Sequence, residues 1–300
     1  MVRGLQQKRL QSYDGTELCY YIGGSGPAVV LANGLGGPVP AYKYIIEQLI
    51  SEYTVLTWDY RGMFGSGQPV VSGDLSVYHQ VGDMRALMES EGIGQAVIVG
   101  WSMGVQVCCE YTYQNPAQVA GMVLLCGVAG VPFKTLPGGA LVGRAIPSLL
   151  NVGKMSAKPL GALSQRLTQW KGFVPMMQKL GAIAPSLDSE LFGDIAQEFA
   201  GMDMGVYCET LKQLGEHDGY DNLSSVRVPT LLVAGDKDLM TPKTAAQRMQ
   251  SEIPGAKLAV VSGGTHYTPV EFPDRVGKEI DDFLRGVEGF EPASCRMSMS

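Results

Sequence analysis

Residues 100–104, with the sequence GWSMG, are the part of this chain best suited to covalent chemistry. The five residues before them, 95–99, are an apolar and largely β-branched run typical of a buried strand, and 105–114 can form a helix after them. Ser102 is therefore predicted to lie on a sharp strand-to-helix turn, where the two flanking glycines let strand and helix approach closely. A serine presented on such a turn is a candidate nucleophile.

A serine hydroxyl is a weak nucleophile at neutral pH, so it needs a base within hydrogen-bond reach and an acid that orients the base. Three histidines are available. His266 follows the predicted strand 257–261 in a glycine-rich loop, and the ends of strands are where an α/β sheet places its functional groups. His79 begins a predicted helix and His217 lies in a polar run, so both are weaker candidates for the base.

Two aspartates, Asp236 and Asp238, follow the predicted strand 230–234 and compete for the role of the acid. One of them can reach the imidazole. The other is expected to cap the helix that begins near Pro242 or to hydrogen-bond the turn, as aspartates in loops usually do. The residues alone leave this choice open.

The elements that must position these side chains alternate along the chain as strands and helices. Strands are predicted at 17–22, 28–32, 54–58, 96–100, 122–126, 230–234 and 257–261. Several of these runs are continuously apolar, which favours an α/β fold with a mainly parallel sheet flanked by helices on both faces.

The domain organisation follows from where this alternation stops. Strand signals vanish between 131 and 225, where the sequence is helical and rich in glycine, proline and methionine, so we predict an inserted helical cap there. Residues 1–130 and 226–285 form the predicted core. Periodicity is lost after 285, which predicts a flexible tail at 286–300.

Composition bounds the remaining possibilities. With 45% hydrophobic and 17% charged residues, the chain can bury a large core. We expect a cytoplasmic protein without a transmembrane segment or an export signal, because no apolar run is long enough for either. The cysteines, including Cys19, Cys126 and the adjacent pair 108–109, are expected to be small buried hydrophobes. No metal and no cofactor is expected.

Charge is segregated along the sequence. Residues 111–187 contain seven lysines and arginines but no aspartate or glutamate, which leaves 16 basic and 29 acidic residues for the rest of the chain. The simplest interpretation is a solvated surface. The alternative is that the basic cap attracts an anionic substrate, an acidic protein or an anionic lipid surface. No interaction with nucleic acid is expected.

The order Ser102, Asp238, His266, each after a strand, resembles that of the α/β-hydrolase superfamily, over 28–130 and 226–284. A Gly-x-x-Asp-x-x-x-Pro pattern of many members is similar to 235–242 and favours Asp238 over Asp236. Two further similar stretches are 33–37 (NGLGG), which follows an apolar strand, and 59–62 (DYRG).

The resemblance implies a serine carboxylesterase or lipase with a helical cap. It assigns the backbone N–H groups of Leu35 and Met103 to the oxyanion hole. The sequence departs from the common pattern at Asn33, where many members have histidine, and at Phe64, where many have glycine. Neither departure removes a catalytic atom.

The expected reaction is hydrolysis of a small-molecule carboxylic ester with an apolar acyl group, through an acyl-enzyme on Ser102. Trp101 and Met240 are the candidate substrate-binding residues, and methionines of the cap could also line the site. A carbon–carbon bond hydrolase or a perhydrolase could use the same three side chains, and a non-catalytic receptor could keep them for ligand binding.

Overall fold

One eight-stranded sheet runs through the protein, whose computed structural model describes residues 2–135, 139–292 and 294. The strands are β1 (Gln6–Gln11), β2 (Glu17–Gly23), β3 (Ala28–Ala32), β4 (Thr54–Trp58), β5 (Ala96–Trp101), β6 (Val119–Leu125), β7 (Thr230–Gly235) and β8 (Lys257–Val261). Their order in the sheet is β1-β2-β4-β3-β5-β6-β7-β8. The first two strands pair antiparallel and β2 is antiparallel to β4, whereas all other neighbours are parallel.

The helices are α1 (Lys43–Leu49), α2 (Val77–Ser90), α3 (Met103–Gln114), α4 (Gly139–Met155), α5 (Ala157–Gln169), α6 (Phe173–Lys179), α7 (Ser189–Ala200), α8 (Met204–Leu214), α9 (Lys243–Glu252), α10 (Thr268–Glu271) and α11 (Pro273–Arg285). Short 3-10 helices lie at Val39–Tyr42, Pro116–Gln118, Pro132–Thr135 and Tyr220–Ser225. No helix within the described ranges combines the length and the apolar character needed to cross a membrane.

Both faces of the sheet are covered, because its central strands are apolar on both sides. In β3, Val30 points to the face covered by α2, α3 and α9, while Val29 and Leu31 point to the face covered by α1 and α11. The predicted α/β fold with a mainly parallel sheet flanked by helices is confirmed.

The edge strand β1 is not among the strands predicted from sequence. Its sequence, QQKRLQ, is almost entirely polar, and its residues are exposed or half-buried. Its backbone pairs with one strand, β2, at the edge of the sheet, so no apolar pattern predicts it. The predicted strand 122–126 begins earlier, at Val119, and ends before Cys126.

Helices α4 to α8 occupy the segment between β6 and β7, and no strand is found among its described residues. Its two ends lie side by side, because the Gly219 N–H donates to the carbonyl oxygen of Ala129 and Lys134 pairs with Asp218 at 3.1 Å. We call α4 to α8 the inserted helices.

The end of the chain is packed for longer than the sequence predicted. Val287 and Phe290 are buried, and the Phe290 ring stacks on that of Tyr53 at 5.8 Å. Both side chains fall within the predicted flexible tail, 286–300, and two apolar side chains separated by polar residues give no periodic signal. Residues 293 and 295–300 lie outside the described part of the chain.

The cysteines of the described chain are unpaired and buried, which confirms the expectation for Cys19, Cys108, Cys109 and Cys126. Burial raises the pKa of the Cys109 and Cys126 thiols to about 12. They therefore behave as small hydrophobes rather than as reactive thiolates. Cys295 lies outside the described residues.

The loop 59–62 is built around two buried charges. The Arg61 guanidinium is fully buried and donates to both carboxylate oxygens of Asp83, at 2.5 and 2.8 Å, and to Asp14 at 2.8 Å. Asp59 is also buried and accepts hydrogen bonds from the Gly65 N–H and the Tyr21 hydroxyl. These contacts fix the turn that leads into Phe64, which adopts a φ of 46° where glycine would be less strained.

The pKa of Asp59 predicts how this loop responds to pH. Burial raises it from 3.8 to about 6, against the lowering effect of its two hydrogen-bond donors. The folded state therefore binds this proton more tightly than the unfolded state. The stability contribution of Asp59 should fall as pH rises from about 4 to 6, by roughly 3 kcal/mol.

Urea unfolding at a series of pH values tests this, with Asp59→Asn beside the wild type. The difference in unfolding free energy, wild type minus variant, should decrease across that pH interval. Asp274→Asn, which removes an exposed carboxylate that forms no ion pair with a described residue, serves as the control. A difference that is constant with pH would contradict the expectation for Asp59.

Candidate active site

Ser102 lies on a strained turn between β5 and α3. Its φ of 55° and ψ of −113° are rarely adopted by residues other than glycine. A Cβ on Gly100 would lie 2.3 Å from the Gly104 carbonyl oxygen, and a Cβ on Gly104 would lie 2.0 Å from that of Ala32. Glycine is thus required on both sides of Ser102, as the pentapeptide predicts.

His266 reaches Ser102 from the loop after β8. Its Nε2 lies 2.9 Å from Ser102 Oγ, and its Nδ1 lies 2.9 Å from Asp238 Oδ2. A carboxylate can only accept, so Nδ1 carries the proton and donates to Asp238, while Nε2 is left to accept from the serine hydroxyl. The three side chains form one hydrogen-bonded chain.

Asp238 is fixed independently of His266. It is 3% exposed and accepts from the backbone N–H groups of Met240 and Thr241 at 2.8 Å and from the Thr241 hydroxyl at 2.7 Å. Burial alone would raise its pKa, but the hydrogen bond and charge of His266 and the bonds from Thr241 hold the pKa below its ordinary value. Asp238 is therefore a carboxylate at neutral pH.

The other candidates lie elsewhere. Asp236 accepts from the Gly263 N–H at 2.7 Å and so holds the loop that leads to His266. His79 contacts Ser76 and Asp74 at the start of α2.

His217 is buried at the junction of the inserted helices and α3. Its Nδ1 faces Gln106 Oε1 at 2.7 Å and its Nε2 faces Glu110 Oε2 at 3.1 Å. Gln106 Nε2 donates to the Gly130 carbonyl oxygen, which fixes the orientation of the amide and leaves its oxygen for His217. Both ring nitrogens thus face acceptors, and the hydrogen bond from His217 lowers the pKa of Glu110. This cluster ties the inserted segment to α3.

The backbone around His266 is held by two buried groups. The Trp101 indole N–H donates to the His266 carbonyl oxygen at 3.0 Å. Glu271, which is 3% exposed, accepts from the Thr265 N–H at 2.7 Å and from its hydroxyl at 2.6 Å. The same carboxylate accepts from the Ala184 N–H at 2.7 Å, in the loop between α6 and α7. It therefore connects the inserted helices to the loop of His266.

The glycine-rich loop after β3 lies directly against Ser102. A Cβ built on Gly34 would be 3.3 Å from the Ser102 Cβ, and Leu35 lines the cavity beside it. Met103 is the first residue of α3, where the N–H groups of the first turn have no partner within the helix. The Asn33 side chain is buried with no hydrogen-bond partner among the described residues.

Ser102 and His266 open into a cavity of about 690 Å³ between the sheet and the inserted helices. Both predicted substrate-binding residues, Trp101 and Met240, line it. Of the methionines in the inserted segment, Met177 is the one found among the lining residues, whereas Met202 and Met204 pack in the core and Met155 is exposed.

The cavity wall is apolar. Its aromatic and aliphatic lining residues include Phe133, Leu149, Leu150, Leu167, Phe173, Phe192, Ile195, Phe199, Leu211 and Leu214. No aspartate, glutamate, lysine or arginine is among the described residues that line it. The basic side chains of 111–187 therefore do not face this cavity where they are described. Within the same ranges, no group of three His, Cys, Asp or Glu side chains could hold a metal ion.

Glu271 and Thr241 are the site residues that the sequence analysis missed. Thr241 lies within the pattern that pointed to Asp238, so its position beside the turn was a usable signal. Glu271 gave none, because a glutamate in a short helix is expected to be solvated. It accepts a hydrogen bond from Ala184, which lies 87 residues before it in the sequence.

Comparison with known proteins decides the family. Residues 27–273 match the model of a family described as the alpha/beta hydrolase fold. The chain belongs to the α/β-hydrolase superfamily. The superfamily predicted from sequence is thereby confirmed, and a hydrolase is the general class of enzyme that this membership supports.

Several proteins with more specific names are similar to this chain at low sequence identity. The chain is 23% identical over 270 residues to a putative carbamate hydrolase of Azorhizobium caulinodans, covering 86% of this chain and 91% of the relative. A hydrolase from Pseudomonas aeruginosa superposes with a TM-score of 0.77 at 20% identity, over 93% of this chain and 98% of that one. An enol-lactonase from Burkholderia xenovorans gives 0.74 at 22% identity, over 92% and 99%. These superpositions concern the fold.

Glu271→Gln tests the connection between the His266 loop and the inserted helices. An amide presents one accepting oxygen and an NH₂ group in place of a carboxylate that accepts three hydrogen bonds. We expect a loss of about 1–3 kcal/mol in unfolding free energy. Amide hydrogen exchange should become faster at both Thr265 and Ala184.

The exposed Glu288→Gln is the matched control and should change neither quantity. If exchange at Thr265 accelerates while exchange at Ala184 does not, the carboxylate does not couple the two loops and the interpretation is wrong.

Proposed function

We propose that the protein is a serine hydrolase that cleaves carboxylic esters with an apolar acyl group, through an acyl-enzyme intermediate on Ser102. The observation that carries the proposal is the hydrogen-bonded chain from Asp238 through His266 to Ser102, with 2.9 Å at each step. That chain ends at a hydroxyl that faces an apolar cavity. A serine activated in this way attacks carbonyl carbon.

In the proposed reaction, Ser102 Oγ attacks the ester carbonyl while His266 Nε2 takes its proton. The imidazolium formed is stabilised by the Asp238 carboxylate and then donates the proton to the departing alcohol oxygen. Water enters, loses a proton to His266 and attacks the acyl carbon, and the proton returns to Ser102 Oγ as the acid leaves. Asp238 orients the ring throughout.

We assign the N–H groups of Leu35 and Met103 to the oxyanion that forms at the carbonyl oxygen. This assignment is supported by the loop of Gly34, which lies against the Ser102 Cβ, and by the position of Met103 in the first turn of α3. Because both donors belong to the backbone, the strained turn at Ser102 has a second role in aiming one of them.

The substrate class follows from the cavity. Its lining is apolar and carries no described acid or base besides His266 and two tyrosines, so an uncharged acyl group is favoured over an anionic one. The name of the Burkholderia xenovorans protein specifies a lactone, which is a cyclic ester and would require the same bond cleavage. We propose that the inserted helices act as the cap that excludes water from this cavity.

We retain the cytoplasm as the proposed location, with support from the buried, unpaired cysteines. Ester hydrolysis accounts for every feature of the site described above. No further feature favours carbon–carbon bond cleavage, perhydrolysis or ligand binding without turnover. We therefore propose no second function.

The experiment that tests the nucleophile is intact-mass analysis after incubation with a fluorophosphonate. One adduct is expected on the wild type and none on Ser102→Ala. Ser164→Ala is the matched control, because Ser164 also lines the cavity but lacks a base. An adduct that persists on Ser102→Ala, or its absence from folded wild type, would refute the assignment.

A series of nitrophenyl esters tests the substrate class. Each added methylene that is buried in the cavity contributes about 0.8 kcal/mol, so kcat/KM should rise about fourfold per methylene until the cavity is filled. An ester of matched length with a terminal carboxylate should be a poor substrate. Preference for that anionic ester, with kcat/KM falling as salt is added, would instead support the basic segment as a substrate-recruiting surface.

A further inference from the structure

The outer helices of the inserted segment expose large apolar side chains in a regular pattern. On α5, Leu163 and Leu167 are 54% and 42% exposed, and Trp170, which directly follows the helix, is 56% exposed. Their spacing places the three side chains on one side of the helix. No residue of α5 is fully buried. A helix of a globular protein normally turns such a stripe toward the core, whereas in the described structure more than two fifths of each of these three side chains is exposed.

The adjacent helix α4 continues the pattern. Leu149, Val152 and Met155 follow one another at intervals of three residues and are 65%, 60% and 89% exposed. Leu149 and Leu167 are both exposed and both line the cavity, so they mark its mouth on each of the two helices. We define the mouth face as six exposed apolar residues of this region: Leu149, Val152, Met155, Leu163, Leu167 and Trp170.

Basic side chains accompany the mouth face. Lys158 and Arg166 on α5 and Lys171 just beyond it are exposed, and none of them forms an ion pair with a residue of the described chain. Lys154 is engaged by Glu209 at 2.9 Å. Because 111–187 has no acidic residue, nothing in its own sequence neutralises these charges.

We propose that the mouth face binds the surface of an anionic lipid bilayer. Apolar side chains interleaved with lysine and arginine, with a tryptophan at the edge, are what a helix needs to lie in a membrane interface. The charge distribution also orients the molecule, because 111–187 carries +7 and the remainder −13. An anionic surface attracts the first and repels the second.

The same charges argue against a second copy of the chain as the partner. Two mouth faces brought together would juxtapose unneutralised lysines and arginines, which is unfavourable at an interface. An anionic bilayer supplies both the hydrocarbon for the apolar side chains and the opposite charge for the basic ones.

In this docked orientation the entrance of the cavity would face the lipid. Leu149 and Leu167 would then lie between the bilayer and Ser102, so an apolar ester dissolved in the membrane would reach the serine without crossing water. This consequence depends on the proposed function, whereas binding to the bilayer does not. The test therefore measures binding, with Ser102→Ala protein.

Vesicles of phosphatidylcholine, with and without phosphatidylglycerol, are the probe. Trp170 is the exposed one of the chain's three tryptophans, since Trp58 and Trp101 are buried, so it reports on its own surroundings. We expect co-sedimentation with the anionic vesicles, weakened by salt, together with a blue shift of tryptophan emission. Trp170→Phe should abolish the shift while co-sedimentation continues.

A triple charge reversal, Lys158→Glu with Arg166→Glu and Lys171→Glu, tests the basic component. Each basic residue near an anionic surface contributes about a fivefold factor, so the variant should bind at least about 100-fold more weakly. The matched control reverses three exposed lysines of the core, Lys243, Lys257 and Lys278, and should bind as the wild type does.

Four results would overturn the proposal. The first is no binding of folded protein to anionic vesicles, and the second is equal binding to both vesicle types. The third is equal weakening by the two triple variants. The fourth is a dimer by light scattering without lipid that Trp170→Ser dissociates, which would make the mouth face an interface between copies. Because none of these involves turnover, a failed docking surface remains distinguishable from a failed hydrolase assignment.

Discussion

The close approach of β3, β5 and α3 around Ser102 is the constraint on which the rest of the site depends. A peptide turn with a φ of 55° at a residue that has a side chain is unfavourable, and it persists because the neighbouring backbone leaves no alternative. Gly104 lies so near Ala32 that a single methyl group would collide with its carbonyl oxygen. The adjacency of β3 and β5 in the sheet brings the loop that follows β3 to the same point. Ser102 and the loop proposed to bind the oxyanion are thus packed as one unit.

The remaining two side chains must reach that unit from farther away. Strand β6 separates β5 from β7 and β8, so Asp238 and His266 approach across its end on loops. Loops of this kind are mobile unless they are tied down. Here the carboxylate is held by the turn at Thr241, and the backbone of His266 is held by Trp101 and by the buried Glu271. The precision of the hydrogen-bonded chain therefore comes from contacts made outside it.

Much of this arrangement could be predicted from local sequence, and the exceptions share a physical cause. The buried strands and the strained serine turn have strong local signatures, because burial demands apolar residues and a tight turn demands glycine. The choice of Asp238 needed resemblance to other chains, since Asp236 follows the same strand. The polar strand β1, the buried Glu271 and the packing of Phe290 could not be predicted, because each depends on a partner distant in sequence. The positive charge of 111–187 could be read from the sequence. That its described lysine and arginine side chains do not line the cavity could not.

The carboxylate of Glu271 accepts hydrogen bonds from two loops that belong to different parts of the fold. Thr265 belongs to the loop that carries the imidazole, and Ala184 belongs to the connection between α6 and α7. The contact with Ala184 is made by the backbone, so it survives changes of side chain at that position but not insertions or deletions around it. The side chain at position 184 can therefore vary, while the length of the connection near Ala184 is constrained by the position of a histidine on another loop.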